Sequence, residues 1–172
     1  MAILQALIEA SRQIGDEYFM LAVAYKDRPI KRERVYCYEL YHQLRVALRD
    51  TPLTLTGEPD KRGHTDFTNK QPNPDFILHT PGHHEDNMAV IEVECRLNRE
   101  HLTKDLKTLK LMRGKGYHVL VLLLFSARTV PWQRLERAAA EAEIDLGDVV
   151  VLLHRAAGES ATREYPPTRN AA

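Results

Sequence analysis

Asn73-Pro74-Asp75-Phe76-Ile77-Leu78, followed closely by Met88-Ala89-Val90-Ile91-Glu92-Val93-Glu94-Cys95, decides how this chain is read. Both stretches have strand length and apolar composition, and the Pro-Gly-His-His between them is turn chemistry. Along the second stretch side chains alternate, so Glu92 and Glu94 share one face while Ile91, Val93 and Cys95 take the other. Two acids inside an apolar strand are costly unless they are solvated, paired or placed on a cation. An antiparallel hairpin centred between His83 and His84 sets Asp75 directly opposite Glu92, with Cβ atoms about 5 Å apart on one face. In that register the two carboxylates grip a single ion, with Glu94 two residues along. A slip of one residue would separate them. The competing readings are a turn residue for Asp75 and a solvated strand face for Glu92 and Glu94. Oxygen donors of this kind suit Mg²⁺, with Mn²⁺ as a substitute, rather than zinc. A partly hydrated Mg²⁺ on two carboxylates activates water and neutralises charge on a phosphodiester.

Working outward, Ala2 to about Ala24 reads as helix on the stripe Ile3, Leu4, Leu7, Ile8, Ile14, Tyr18 and Leu21, with Gly15 weakening its middle. Arg28-Pro29 breaks the chain. A second helix runs from about Lys31 to Arg49 and buries Cys37, Leu40, Tyr41, Leu44 and Leu48. Tyr36, Glu39 and Gln43 lie outside that stripe and face the same cleft as the acids. Leu53 to Thr56 alternates as a strand, and Gly57 to Pro74 is a polar loop. Leu102 to Arg113 is an amphipathic helix stopped by Gly114-Lys115-Gly116. Tyr117 to Phe125 is a nearly continuous apolar strand of the type buried on both faces. Trp132 to about Glu143 is helix, and Asp148 to His154 is a last strand. Ala156 to Ala172 reads as a loose tail. This order predicts one domain over residues 1–155, an α/β sandwich around a single mixed sheet, with residues 1–25 as a helix added to the core.

Composition bounds the function classes. The chain has 172 residues, 24 Lys+Arg against 24 Asp+Glu, 44% hydrophobic and 28% charged residues. Those proportions belong to a globular protein and exclude disorder for the body of the chain. No apolar run reaches the roughly 18 residues of a membrane span, and no signal-peptide pattern opens the sequence. Cys37 and Cys95 form neither a disulfide framework nor a zinc spacing. The expectation is a cytoplasmic protein without a membrane partner. Zero net charge conceals two basic segments, Lys26–Arg49 and Arg96–His118, each with seven Lys or Arg against three and two acids. Such segments are consistent with a phosphate-facing side or with solvated helix faces.

A helix carrying an acid, a Pro-Asp opening one strand, an acidic motif on the next strand, then a helix and an apolar strand together resemble the PD-(D/E)XK phosphodiesterase superfamily. The resemblance spans Lys31 to about His154. It implies the restriction-endonuclease-like fold, a three-layer sandwich with helices flanking a mixed sheet. It implies a Mg²⁺-dependent nuclease, a hydrolase of phosphodiester bonds, with DNA the commonest substrate of the family and a homodimer a frequent assembly. Asp75 matches the metal-binding Asp, Glu92 the second acid and the Val93 carbonyl a common third ligand. Glu39 matches the acid often found on the first core helix, which would hold a second cation. The chain departs from the family in one place: Glu94 stands where Lys is usual, giving Glu-Val-Glu. Some relatives carry Glu there as general base or second-metal ligand. In others the Lys has moved to a neighbouring element, and Lys104 or Lys107 would serve that way here. Arg96, Lys104 and Lys107 would meet the scissile phosphate or its neighbours.

Other motifs carry less. His83-His84-Glu85-Asp86 is a polar run at a hairpin tip. Gly114-Lys115-Gly116 lacks the P-loop pattern. Cys37 and Cys95 read as small buried residues and Trp132 as packing. The alternative from another class is an inactive domain of the same fold that binds nucleic acid or protein. What separates the two is convergence. Asp75, Glu92 and Glu94 repel one another, and a binding module has no reason to hold them together.

Overall fold

The computed structural model describes residues 2–59, 73–80 and 87–167. Strand β4 (Val119–Phe125) is the axis of the fold. Leu120, Leu122 and Leu124 enter one core, while Val121, Leu123 and Phe125 enter the other. Burial on both faces explains the unbroken apolar run. β3 (Asn87–Glu94) and β5 (Val149–His154) flank β4 in parallel. Parallel neighbours need crossovers, and α4 (Arg99–Arg113) and α5 (Trp132–Ala142) supply them. Both helices bury their stripes, Leu102-Leu106-Leu109-Met112 and Leu135-Ala138-Ala139-Ala142, in the same core. On the far side of the hairpin, β1 (Thr54–Gly57) and β2 (Phe76–His79) extend the sheet antiparallel from β3. β6 (Thr162–Glu164) closes the other edge. The result is an α/β fold with a mixed six-stranded sheet in the order β1-β2-β3-β4-β5-β6 and helices against both faces. Among the described residues no helix is long and apolar enough to cross a membrane.

The hairpin register agrees with the expectation. Phe76 faces Ile91, Ile77 faces Val90 and Leu78 faces Ala89, which carries Asp75 to the level of Glu92. A bulge between Leu78 and His79 then pairs His79 with Asn87. The Gly57–Pro74 loop is described only at its ends, and the tip carrying His83 to Asp86 lies outside the described residues.

Three expectations need correction. The N-terminal helix does not reach Ala24: α1 (Ala2–Arg12) ends early, Gly15 is extended, and a short α2 (Asp16–Phe19) restarts the chain. That restart buries Phe19 and leaves Tyr18 outward. The inward stripe of α3 (Glu33–Ala47) is rotated from the expected one. Tyr36, Leu40, Leu44 and the adjoining Leu48 are buried, while Cys37 and Tyr41 are half-buried. Tyr36 therefore does not face a cleft. Its ring stacks on Phe125 at 4.0 Å and its hydroxyl meets His154 Nδ1 at 2.8 Å, so the polar end is satisfied inside the core. Finally, the C-terminal segment is not a loose tail through its described part. Ala161 N–H donates to Ser11 Oγ at 2.8 Å, and β6 covers the edge that β5 would otherwise present.

Candidate active site

Glu92 and Glu94 project from the carboxyl end of β3 on the α4 side, the side also taken by Val90. Both are 2% exposed, so neither lies on a solvated strand face. Asp75 arrives one residue before β2, and its Oδ2 accepts the Val93 N–H at 2.8 Å. The N–H and C=O of one strand residue leave on the same side. Val93 therefore directs its carbonyl past the end of β2, beside Asp75.

Burial lifts the Asp75 carboxyl above its ordinary range, opposed by the Val93 N–H and by the Lys104 charge. Burial pushes Glu92 up much further, with the charges of Asp75 and Asp105 adding to it. Asp75 stands level with Glu92 across the hairpin, and its charge adds to the rise at Glu92, a cost that a shared proton or a cation relieves.

Two further acids complete the group, and neither was singled out from the sequence. Glu33 opens α3; burial, then the charges of Glu94 and Asp75, raise its carboxyl to about 7. One donor atom each of Glu33, Glu94 and Cys95 lie within 4.8 Å of one another. Asp105, on α4, is 2% exposed. Burial, then Glu94, Asp75 and Glu33 against the pull of Lys104, raise it to about 8. Among the described residues, Glu33 Oε2, Glu92 Oε1 and Asp105 Oδ2 are buried without a hydrogen-bond partner. Asp105 had a legible signal, since position 105 falls on the inward stripe between Leu102 and Leu109. Glu33 had a weaker one. It lies one turn before Cys37, on the helix side that the rotated stripe turns toward the end of β3.

Glu94 is the most heavily bonded of the acids. Its Oε1 accepts the N–H groups of Cys95 at 2.8 Å and Arg96 at 2.6 Å. Its Oε2 lies 3.1 Å from His101 Nδ1. A carboxylate oxygen has two lone pairs, so the two backbone donors fill Oε1, whereas Oε2 has one position beyond His101. His101 is held by the cap of its own helix, donating its N–H to Asn98 Oδ1 at 3.0 Å.

The cations sort cleanly. Lys104 Nζ lies 3.8 Å from Asp105 Oδ1. Desolvation would lower its pKa, but the charges of Asp105, Glu92, Asp75 and Glu33 prevail and raise it. Arg96 reaches Glu33 Oε2 at 3.8 Å and Glu94 Oε1 at 3.7 Å. Lys107 is exposed and acts instead on Glu143, whose carboxyl is lowered first by Lys110 and secondarily by Lys107. Glu39 is half-buried and accepts from Gln43 Nε2 at 2.6 Å. The helix acid that meets Glu94 is Glu33, six residues earlier.

The residues brought together are thus Asp75, Glu92, Glu94, Glu33 and Asp105, with Lys104, Arg96 and His101 around them. Their chemistry fits a hard divalent cation, since oxygen donors dominate and, among the described residues, three of their buried oxygens lack hydrogen-bond partners. Comparison with models of protein families, with curated proteins and with solved structures found no match to this chain.

Proposed function

We propose that this protein is a divalent-cation-dependent nuclease, hydrolysing phosphodiester bonds in DNA, with a restriction-endonuclease-like fold of the PD-(D/E)XK type. The observation that carries the reading is the burial of Glu92 Oε1 and Asp105 Oδ2 without partners, beside an Asp75 aligned with Glu92 across the hairpin. Buried like charges this close persist only by sharing protons or a cation.

Asp75, Glu92 and the Val93 carbonyl would hold Mg²⁺, or Mn²⁺ in its place, which supplies Lewis acidity and a more acidic bound water. Glu94 Oε2 takes a proton from the attacking water. Lys104 brings a positive charge to the acidic group from α4 rather than from β3, and so stands in for the lysine that Glu94 displaces. Its ammonium stabilises charge developing on the phosphate. Arg96 positions a neighbouring phosphate.

The second reading, an inactive binding module, draws on one observation: two backbone donors and His101 already engage Glu94. Supercoiled plasmid incubated with Mg²⁺ or Mn²⁺, using wild type beside Asp75→Ala and Glu92→Ala, separates the two. Metal-dependent nicking that both variants lose establishes the nuclease and its ligands. An absence of nicking together with no metal bound on titration establishes the inactive module.

A further inference from the structure

Two clefts flank the first turns of α3. The larger, about 560 Å³, is lined by Lys31, Arg32, Arg34, Tyr38 and Arg96 around Glu33. The smaller, about 340 Å³, lies against Tyr41 and Glu58 and reaches Asp75. Arg34 and Tyr38 line both, and one helical turn separates them, so together they form the ridge between the clefts. Each cleft thus ends on an acid of the candidate active site, Glu33 on one side and Asp75 on the other. Both volumes fall in the range of about 300–1,000 Å³ usual for ligand sites.

We propose that this ridge and its clefts bind a single-stranded stretch of nucleic acid, its phosphates on Arg32, Arg34 and Arg96 and a base stacked on Tyr38. The inference deepens the nuclease reading and rests on it. Tyr38 is 65% exposed, so its ring face is open to a partner. Stacking on an aromatic side chain needs a base face not already covered by neighbouring bases, which unpaired nucleotides offer and an intact duplex does not. Arg34 pairs with Glu58 at 3.4 Å, but both side chains are more than 60% exposed, and a phosphate displaces such a pair at little cost. An acidic peptide would satisfy the arginines and leave the flat face of Tyr38 without a planar partner. A strand lying over the ridge brings its backbone to the carboxylates from either side.

Fluorescence anisotropy with a labelled oligothymidylate of about 20 nucleotides, long enough to exceed one site of this kind, tests the proposal on the intact chain in EDTA. The single strand binds at least about tenfold more tightly than the corresponding duplex, and Tyr38→Ala loses about tenfold while Tyr38→Phe retains affinity. Arg32→Ala with Arg34→Ala lowers the slope of log affinity against log salt by about 0.7 for each cation removed, and Lys110→Ala leaves it unchanged. Equal affinity for strand and duplex, indifference to Tyr38→Ala, or preference for polyglutamate over the oligonucleotide would each overturn it. Strand binding without plasmid cleavage sinks the nuclease reading and leaves the groove standing. Cleavage of single strands with an unchanged KM in Tyr38→Ala does the reverse.

Discussion

Asp75 and Val93 are joined across the end of the β2–β3 hairpin, the Val93 N–H donating to Asp75 Oδ2 at 2.8 Å. The bond occupies one oxygen of the acid and leaves the other to a cation, while it fixes the backbone that aims the Val93 carbonyl. Asp75 therefore has two roles that substitution can separate. Asp75→Asn keeps an acceptor for Val93 and stays close to wild type in stability. Asp75→Ala loses the bond and costs about 1 kcal/mol, read as a lowered urea midpoint. Both variants lose Mg²⁺ binding and cleavage, by more than the roughly 100-fold that removing an outer partner costs. An Asn variant with wild-type metal affinity would remove Asp75 from the ligand set.

Lys104 and Lys107 sit on neighbouring positions of one helix but serve different acids. Lys104 acts on Asp105, Glu92 and Asp75, whereas Lys107 acts on Glu143. Lys104→Met is expected to lower kcat by about 100-fold, the order seen when one transition-state donor is removed. Its Mg²⁺ affinity should not weaken, since a competing cation has been taken from the acids. Lys107→Met should leave both quantities unchanged. Equal losses in the two variants would mean that α4 contributes only a general positive field.

Sheet and register were legible because they rest on period-2 alternation and on strand pairing, which a single run such as Met88–Cys95 already encodes. Asp75 and Glu92 came with the register. The helix acids were less legible, for a physical reason. An α-helix presents every side, and which side turns inward depends on what waits there. Tyr36 is drawn in by Phe125 and by His154 Nδ1, residues more than 80 positions away, and no local pattern announces them. That rotation carries Glu33 to Glu94 and leaves Glu39 with Gln43. Asp105 was masked by composition, since an acid among lysines reads as a solvated face unless the leucine stripe is followed through it.

The Tyr36–His154 pair makes a prediction about acid stability. Burial pushes the His154 pKa down to about 4, so the folded protein keeps it neutral where the unfolded chain, near 6.5, takes up a proton. The unfolded state then binds more protons, and the stability contributed by His154 is complete above about pH 6.5 and lost as pH falls toward 4. Tyr36→Phe leaves His154 Nδ1 without its partner and is expected to cost about 1–2 kcal/mol at neutral pH. His154→Phe removes the titration. Urea unfolding at pH 7 and pH 5 should show the advantage of wild type over that variant shrinking on acidification. A constant gap would mean that His154 titrates alike in both states.

Glu33 and Asp105 give the opposite sign and tie stability to the cation. Their folded carboxyls, at about 7 and about 8, hold protons that the unfolded chain releases near its ordinary carboxylate range. Below about pH 4 both states are protonated. As pH rises to 8 the folded state must ionise buried acids beside Glu94 and Asp75, so cation-free stability falls across that window. A divalent cation takes the place of those protons, and its binding releases them. Mg²⁺ affinity should therefore rise from pH 6 to pH 8, with proton release visible as a dependence of calorimetric heat on buffer ionisation enthalpy. Asp105→Asn removes one ionisable group: without metal at pH 8 its Tm should exceed wild type by about 2–4 °C, the shift expected from 1 kcal/mol in a chain of this size. The same variant should release fewer protons on binding Mg²⁺. Metal affinity flat from pH 6 to pH 8 would show that the ion displaces no protons from these buried acids, and would remove the acidic group as its site.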